Sequence, residues 1–466
     1  MIVLSFTFFL IFFVLIGVLS TLKSKRSSED YLLAGRREKS WMIALAAIAT
    51  NNSGYMFIGM IGYTYFNGLS TLWIALAILI GDFCASLFIH RKMRFISQKQ
   101  KALSFIEVIS RWGGHDYKKL RFLGSIILVI FLSVYAAAQF KAGGKALHAL
   151  FGTNYAIGSL IGALIVLAYT SSGGIRASIW TNSMQSFVMI GSMAVIFFSA
   201  LAKIGGLENL PNYASNISSD FFSLMPSKAY SKNFIGFMIF VFGWFFAGFG
   251  VVGQPHVMTS FLVLNRPNSI KEARFYYYSW YVVFYILTIG VGIMARILIP
   301  INDSFDYELA MPSLSQLVLP DILVGFALAG LFSATMSTAD SQIISCSAAI
   351  SNDLIADKHP KYKTIKITTI LITVFAAIIA ILDNQSVFSL AMLAWLVLAC
   401  AFTPILVIYS LGGKMSEKLA ISVMSVGIVV MLIWRYTGLS VGFYEAAPGI
   451  LSALALFLIV KAFKKR

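Results

Sequence analysis

Apolar residues arrive along this chain in long runs of about 20, the length a helix needs to cross the hydrocarbon core of a bilayer. Thirteen such runs are predicted, at about 2–22, 40–66, 70–90, 121–144, 155–172, 180–202, 234–256, 275–299, 321–351, 363–382, 386–411, 416–437 and 444–463. The longest segments between them, about 91–120, 203–233 and 300–320, hold roughly 30 residues or fewer, which leaves no room for a soluble domain. The first run starts at Met1 with neither a basic flank nor a small-residue cleavage site, so it reads as a helix rather than a signal peptide. The expectation is an all-α polytopic membrane protein with one transmembrane domain over 1–466.

Three of the runs carry polar interruptions. In the second, Asn51, Asn52, Ser53 and Gly54 break the apolar pattern near its middle. The seventh contains Gly248-Phe-Gly-Val-Val-Gly-Gln-Pro255, where glycine weakens the helix and proline removes a backbone donor. Unwound backbone at membrane depth survives only where it is buried or lines a cavity. The ninth run holds Leu331-Phe-Ser-Ala-Thr-Met-Ser-Thr-Ala-Asp-Ser-Gln342, a density of small residues and hydroxyls that suits close helix approach and oxygen ligation better than lipid contact. The two broken runs lie five spans apart, the pattern of an inverted repeat with a binding site at its interface. Repeat one would cover 40–202 and repeat two 234–411. An extra helix and loop (1–39) would precede them, and two extra helices (412–466) would follow.

Composition agrees: 59% of residues are hydrophobic, 12% are charged and the mean hydropathy is +0.83. The formal net charge of +17 is a topology signal rather than a nucleic-acid footprint, because 29 of the 36 Lys and Arg fall on alternate loops. The other side carries the acidic loop with Asp303, Asp306 and Glu308. This places the N-terminus outside and the C-terminus in the cytoplasm of a multi-pass protein of the cell (inner) membrane, with anionic lipid headgroups as the partner of the basic loops. Cys84, Cys346 and Cys400 are widely spaced in apolar runs and read as packing residues. A phosphate loop and a His/Cys metal cluster are both missing. His256 has no evident partner for enzyme chemistry, so no organic cofactor and no catalytic residue is expected.

At these residues the chain resembles the sodium/solute symporter family, and most closely its sodium/proline symporter branch. The resemblance runs from about Tyr31 to Gly449. It rests on Asp30-Tyr-Leu-Leu-Ala-Gly-Arg36, Ser53-Gly54, Gly173-Gly174, Trp180-Thr181 and Gly253-Gln-Pro-His256. It continues through Met336-Ser-Thr-Ala-Asp-Ser-Gln342, Phe388-Ser-Leu390, Ala394-Trp395 and Tyr444-Glu-Ala-Ala-Pro-Gly449. It implies a five-plus-five inverted-repeat (LeuT-like) core and a secondary transporter that imports a small organic solute, an amino acid of proline's kind or larger, with sodium by alternating access. It also implies a Na+ site formed by the carbonyls of Ala49, Asn52 and Ala334 with the hydroxyls of Ser337 and Thr338. By position, Ser53, Gly54, Tyr55 and Tyr135 would face the solute, with Ala247, Val251 and Gln254 on the seventh run and Gln139 and Lys141 on the fourth.

The chain also departs from that pattern. The branch usually carries aspartates where this chain has Asn51 and Asn182, so two carboxylates are amides here; Asn51 becomes a candidate hydrogen-bond partner of the solute. Ala247 and Val251 stand where the branch has a tryptophan and a tyrosine, which predicts a roomier pocket, and Trp244 lies one turn earlier. Two alternatives stay open: a proton-coupled symporter of the same fold, with Asp82, Asp340 and His256 as intramembrane ionisable groups, or a substrate-sensing module working with a separate signalling partner. Oligomeric state is not legible.

Overall fold

The computed structural model describes residues 1–214, 217–226, 233–301, 305–355, 361–382 and 387–463. Asp303, Lys358, the basic residues at 464–466 and the first residue of the run at 386 lie outside the described residues. The principal helices are α1 (Ile2–Ser20), α2 (Ser40–Tyr55), α3 (Ile61–Asn67), α4 (Thr71–Lys99), α5 (Lys118–Phe151) and α6 (Tyr155–Lys203). They continue as α7 (Phe234–Phe249), α8 (Pro255–Leu262), α9 (Ile270–Leu298) and α10 (Asp321–Ala348). The chain ends with α11 (Tyr362–Leu382), α12 (Val387–Ser410), α13 (Glu417–Tyr436) and α14 (Ala446–Phe463).

Eleven stretches among the described residues are long and apolar enough to cross a membrane. One of these, Ser40–Lys99, contains both the second and the third expected run; the fifth is the shorter apolar segment Tyr155–Ser171. Large side chains such as Leu4, Phe8, Leu15, Phe375 and Leu458 stand exposed, as lipid-facing residues should. By contrast α10 is buried from Val324 to its end apart from Phe326, enclosed by α1, α2, α5 and α6. Its serines, threonines and alanines are what permit that enclosure, since small side chains let helix backbones approach closely.

Both expected breaks are present. The second run leaves helical geometry at Ser53 (φ 33°, ψ 177°), passes through a wide turn at Met56–Met60 and resumes as α3. The seventh stops at Phe249, tightens through Gly250–Gly253, becomes extended at Gln254 (φ −90°, ψ 106°) and restarts with Pro255 in the first turn of α8. Proline suits that place because its missing N–H would be unpaired anyway. Helices α4 and α7 meet backbone to backbone. A Cβ added to Gly248 would lie 1.9 Å from the Ile78 carbonyl oxygen, and one added to Gly81 2.0 Å from that of Phe245.

Arg176, one of the basic residues counted on the alternate loops, follows the break at Gly174 (φ 59°, ψ −144°), where α6 folds back so that Tyr169 and Thr181 both meet Gly17, and it is buried. The kink is possible because no side chain is present: a Cβ there would meet the Tyr31 carbonyl oxygen at 2.4 Å. Arg176 donates to Asp30 Oδ1 (2.6 Å) and Oδ2 (3.0 Å) on the short helix Ser28–Leu33, and to Glu38 Oε1 (3.1 Å). Trp180 Nε1–H donates to the other Glu38 oxygen at 3.0 Å. A buried arginine needs such counter-charges, so this one residue ties the chain before α2 to α6.

Burial pushes the Asp30 carboxyl up. Arg176 and the Lys25 amide (2.7 Å) outweigh that and hold it below its ordinary 3.8. A folded value below the unfolded one stabilises the protein fully above about pH 4 and loses that contribution as pH falls through the folded value. Asp30→Asn is therefore expected to lower the melting temperature in lipid or detergent at pH 7. The cost should lie between the ~1 kcal/mol of an exposed pair and the ~3–5 kcal/mol of a fully buried one. The gap from wild type should begin to narrow below about pH 4 and close only once the pH lies below the folded value, where Asp30 is protonated in both states; thermal unfolding followed across pH checks it.

Candidate functional site

The break at Ser53 leaves backbone carbonyls in the middle of the protein that no helical amide fully satisfies, and α10 supplies the partners. Ser337 Oγ donates to the Ala49 carbonyl (3.1 Å) and Thr338 Oγ1 to the Thr50 carbonyl (2.8 Å). Both hydroxyls also reach the Ala334 carbonyl, at 3.1 and 3.0 Å. In return, Thr50 Oγ1 donates to the Ser337 carbonyl at 3.1 Å. The carbonyls of Ala49 and Ala334 and the hydroxyls of Ser337 and Thr338 are thus brought together, all fully buried. Asn52 shares no hydrogen bond with this set: its carbonyl receives the Met56 N–H and its amide donates to Ile48. The Thr50 carbonyl, which sequence reasoning missed, stands in the cluster instead. Such a set of hard oxygens, without a thiolate or imidazole, is the donor type that alkali cations take.

A second polar knot lies one turn further along α10. Asp340 Oδ1 accepts from Ser178 (3.0 Å), Asn182 Nδ2 (3.1 Å) and Ser341 (2.9 Å). Asn182 Nδ2 also reaches the Ser337 carbonyl at 3.2 Å, which joins this knot to the first cluster. Asp340 makes no ion pair among the described residues and is held by amide and hydroxyl groups inside the bundle.

On the other side of the break lies a cavity. Asn51, Ser53, Tyr55, Tyr135, Ala247 and Val251 line it, joined by Asn52. Four of the residues expected to face the solute do not. The Gly54 amide donates to Gln139 Oε1 at 2.9 Å behind the wall, and Gln254 Nε2 donates to the Trp395 carbonyl at 2.8 Å, so these groups brace the break. Gly54 could carry nothing larger, because a Cβ would lie 2.7 Å from Thr335 Cγ2. Lys141 is also absent from the lining. Asn51 turns its amide to the Tyr277 hydroxyl at 2.9 Å, and Tyr135 donates to Ser53 Oγ at 3.3 Å. His256 packs edge-on against the Tyr135 ring, centroids 5.6 Å apart.

The pocket expected to be roomy is ringed by aromatics from elsewhere. Trp244 lines it, stacked on Tyr444 at 4.1 Å and 13°, together with Trp395, Tyr281 and Tyr285. Sequence reasoning noticed Ala394-Trp395 and Tyr444 as motifs but had no spacing rule linking α12 and α14 to the break. The tyrosines at 277, 281 and 285 carried a usable signal, since four-residue steps place them on one face of α9.

The osmoregulated proline transporter OpuE of Bacillus subtilis is 26% identical over 480 residues, covering 100% of this chain and 95% of its own. The sodium/proline symporter of Escherichia coli is 24% identical, covering 96% and 89%. Among solved structures, a Na+-coupled sialic acid symporter in a substrate-bound outward-open state superposes with a TM-score of 0.83 at 19% identity, covering 99% of this chain and 98% of that one. MhsT in complex with L-phenylalanine follows at 0.59 and 14%, covering 91% and 99%. The fold is therefore the LeuT-like one, all-helical among the described residues. The family model described as the sodium:solute symporter family matches residues 31–427, and the chain belongs to that family of transporters.

Proposed function

We propose that this protein imports a small organic solute, an amino acid of proline's kind or larger, together with sodium by alternating access. The observation that carries the reading is the hydroxyl–carbonyl cluster of Ala49, Ala334, Ser337 and Thr338, which backs onto the same broken helix that walls the aromatic cavity. A sodium ion held there pulls α2 onto α10 and fixes the Ser53–Tyr55 segment, so ion and solute each strengthen the other's binding through one strip of backbone. Each sodium moving inward adds about 2.3 kcal/mol per 100 mV of membrane potential to the drive. The proline relatives support an amino-acid solute. The rings of Trp244, Trp395 and Tyr444 supply flat apolar walls for its carbon skeleton, and the polar groups of Asn51 and Ser53 face its charged end.

Placement in the cell membrane, with the N-terminus outside and the C-terminus in the cytoplasm, rests on the alternate-loop distribution of Lys and Arg. The repeats 40–202 and 234–411 each open with a broken helix, at Ser53 and at Gly250–Gln254, which supports their assignment as the two halves of the core.

The test is uptake of labelled amino acids, proline and histidine among them, into proteoliposomes under an imposed sodium gradient. Combining Ser337→Ala with Thr338→Ala is expected to raise the half-saturating sodium concentration at least about tenfold, ~1.4 kcal/mol. Solute affinity at saturating sodium should change far less. Unaltered sodium dependence in that double variant sinks the ion-site assignment. Ala247→Trp places an indole in the cavity and should abolish uptake while sodium binding, read by ion-dependent tryptophan fluorescence, persists. Normal uptake in that variant means the solute binds elsewhere.

A further inference from the structure

One buried acid takes no part in the mechanism above. Asp82 lies on α4 with no exposure, on the same face as Ile78, which lines the cavity one turn earlier. Neither carboxylate oxygen makes a hydrogen bond of full geometry, although two phenol hydroxyls stand next to it, and no ion pair involves it among the described residues. The groups turned toward it are the hydroxyls of Tyr277 and Tyr278 on α9. The Tyr277 hydroxyl in turn accepts from Asn51 Nδ2 at 2.9 Å. A line of polar atoms therefore runs from Asp82 through Tyr277 to Asn51, the residue that opens the polar interruption of α2 and lines the cavity. Four residues further along α9, the Tyr281 hydroxyl meets that of Tyr285 at 3.2 Å at the cavity wall.

A carboxylate at this depth without a counter-charge is too costly to remain as a bare anion, so it must take a proton or ligate a metal cation. Its surroundings separate the two. An alkali cation asks for several converging oxygens, and here α4 and α9 are unbroken helices whose carbonyls are occupied within their own turns. Only phenol hydroxyls remain. Among the described residues no basic side chain forms an ion pair with the acid either. Arg274, one turn before Tyr278, donates to the Ser86 carbonyl at 2.8 Å, and His90 packs tilted against Phe261 with centroids 4.3 Å apart. On the remaining sides, α7 and the Gly250–Gly253 turn present phenylalanine, glycine and valine, and His256 on α8 packs on Tyr135.

We propose that Asp82 is a proton-binding site coupled to the solute cavity through Tyr277 and Asn51. The step is the gain or loss of one proton at the carboxyl, exchanged with water. As an anion Asp82 accepts from the Tyr277 hydroxyl, which leaves the phenol oxygen to accept from Asn51. As an acid it donates to that oxygen, and the freed phenol O–H turns to donate to Asn51 Oδ1, which flips the Asn51 amide and aims its Nδ2 at the cavity. Asn51 thus presents a different hydrogen-bonding face to the cavity in each state.

The experiment needs no solute, so its outcome is separate from that of the uptake assays. Infrared difference spectra of the whole protein in lipid, in sodium-free buffer, are recorded from about pH 9 to pH 5. A protonated-carboxyl band that grows in wild type as pH falls and is missing from Asp82→Asn is expected. Tyr277→Phe should displace its midpoint by about one pH unit. The fluorescence of Trp244 and Trp395 at the cavity should follow the same midpoint in wild type and lose that pH dependence in Asp82→Asn. Asp82→Glu, which keeps the acid, serves if the amide variant misfolds and should shift the band. A band unchanged in Asp82→Asn or Asp82→Glu, or no titrating band in wild type, overturns the proposal. Erasure of the band by sodium at constant pH also overturns it, by making Asp82 a metal-cation ligand.

Discussion

Backbone that leaves helical geometry inside a membrane protein must find partners at once, and in this molecule those partners are side-chain hydroxyls. The break at Ser53 is tolerated because Ser337 and Thr338 cover the carbonyls of Ala49 and Thr50, while Thr50 returns the bond to α10. Gln139 covers the Gly54 amide from the opposite side. Without these contacts the unsatisfied groups would each cost on the order of several kcal/mol in a low-dielectric interior. The burial of α10 follows from the same demand, since hydroxyls that serve a neighbouring backbone have to lie within van der Waals reach of it.

That arrangement ties stability to transport. The groups that satisfy the broken helix are the same oxygens that would hold the proposed sodium ion, whose entry would exchange hydrogen bonds for ligand bonds. The second break, at Gly250–Gln254, is secured differently. Gln254 bonds the Trp395 carbonyl and Pro255 restarts the helix, so it is a braced corner with few open carbonyl contacts. Two breaks of similar appearance in the sequence therefore have different physical characters: one is a ligand-like cluster, the other a hinge-like corner packed by aromatic rings.

Much of this was legible from residue order. The apolar runs, the interruption at Asn51–Gly54, the glycine-rich seventh run and the hydroxyl cluster of α10 all come from local chemistry, and each appears where its composition placed it. What escaped the sequence depended on contacts between distant segments. Arg176 looked like one more basic loop residue because charge alone does not reveal Asp30 and Glu38 closing around it. Gln254 and Gln139 looked like solute ligands because an amide beside a break reads the same whether it faces a cavity or braces the backbone. Trp395 and Tyr444 reach the cavity from helices far along the chain, and periodicity carries no information about such meetings. Thr50 was passed over because the group it contributes is a backbone carbonyl, which leaves no mark in a pattern of side chains.

The glycine contacts between α4 and α7 bear on how the molecule moves. Gly81 and Gly248 bring the two backbones so near that no layer of side chains separates them, and sliding of packed helices relies on such a layer re-seating its rotamers. The pair is therefore a single stiff spar that carries Ile78 and Asp82 on one member and Ala247 on the other. Any change in the width of the cavity falls on the walls opposite this spar, those built by α2, α5 and α9, and the spar itself acts as the fixed jaw against which they close.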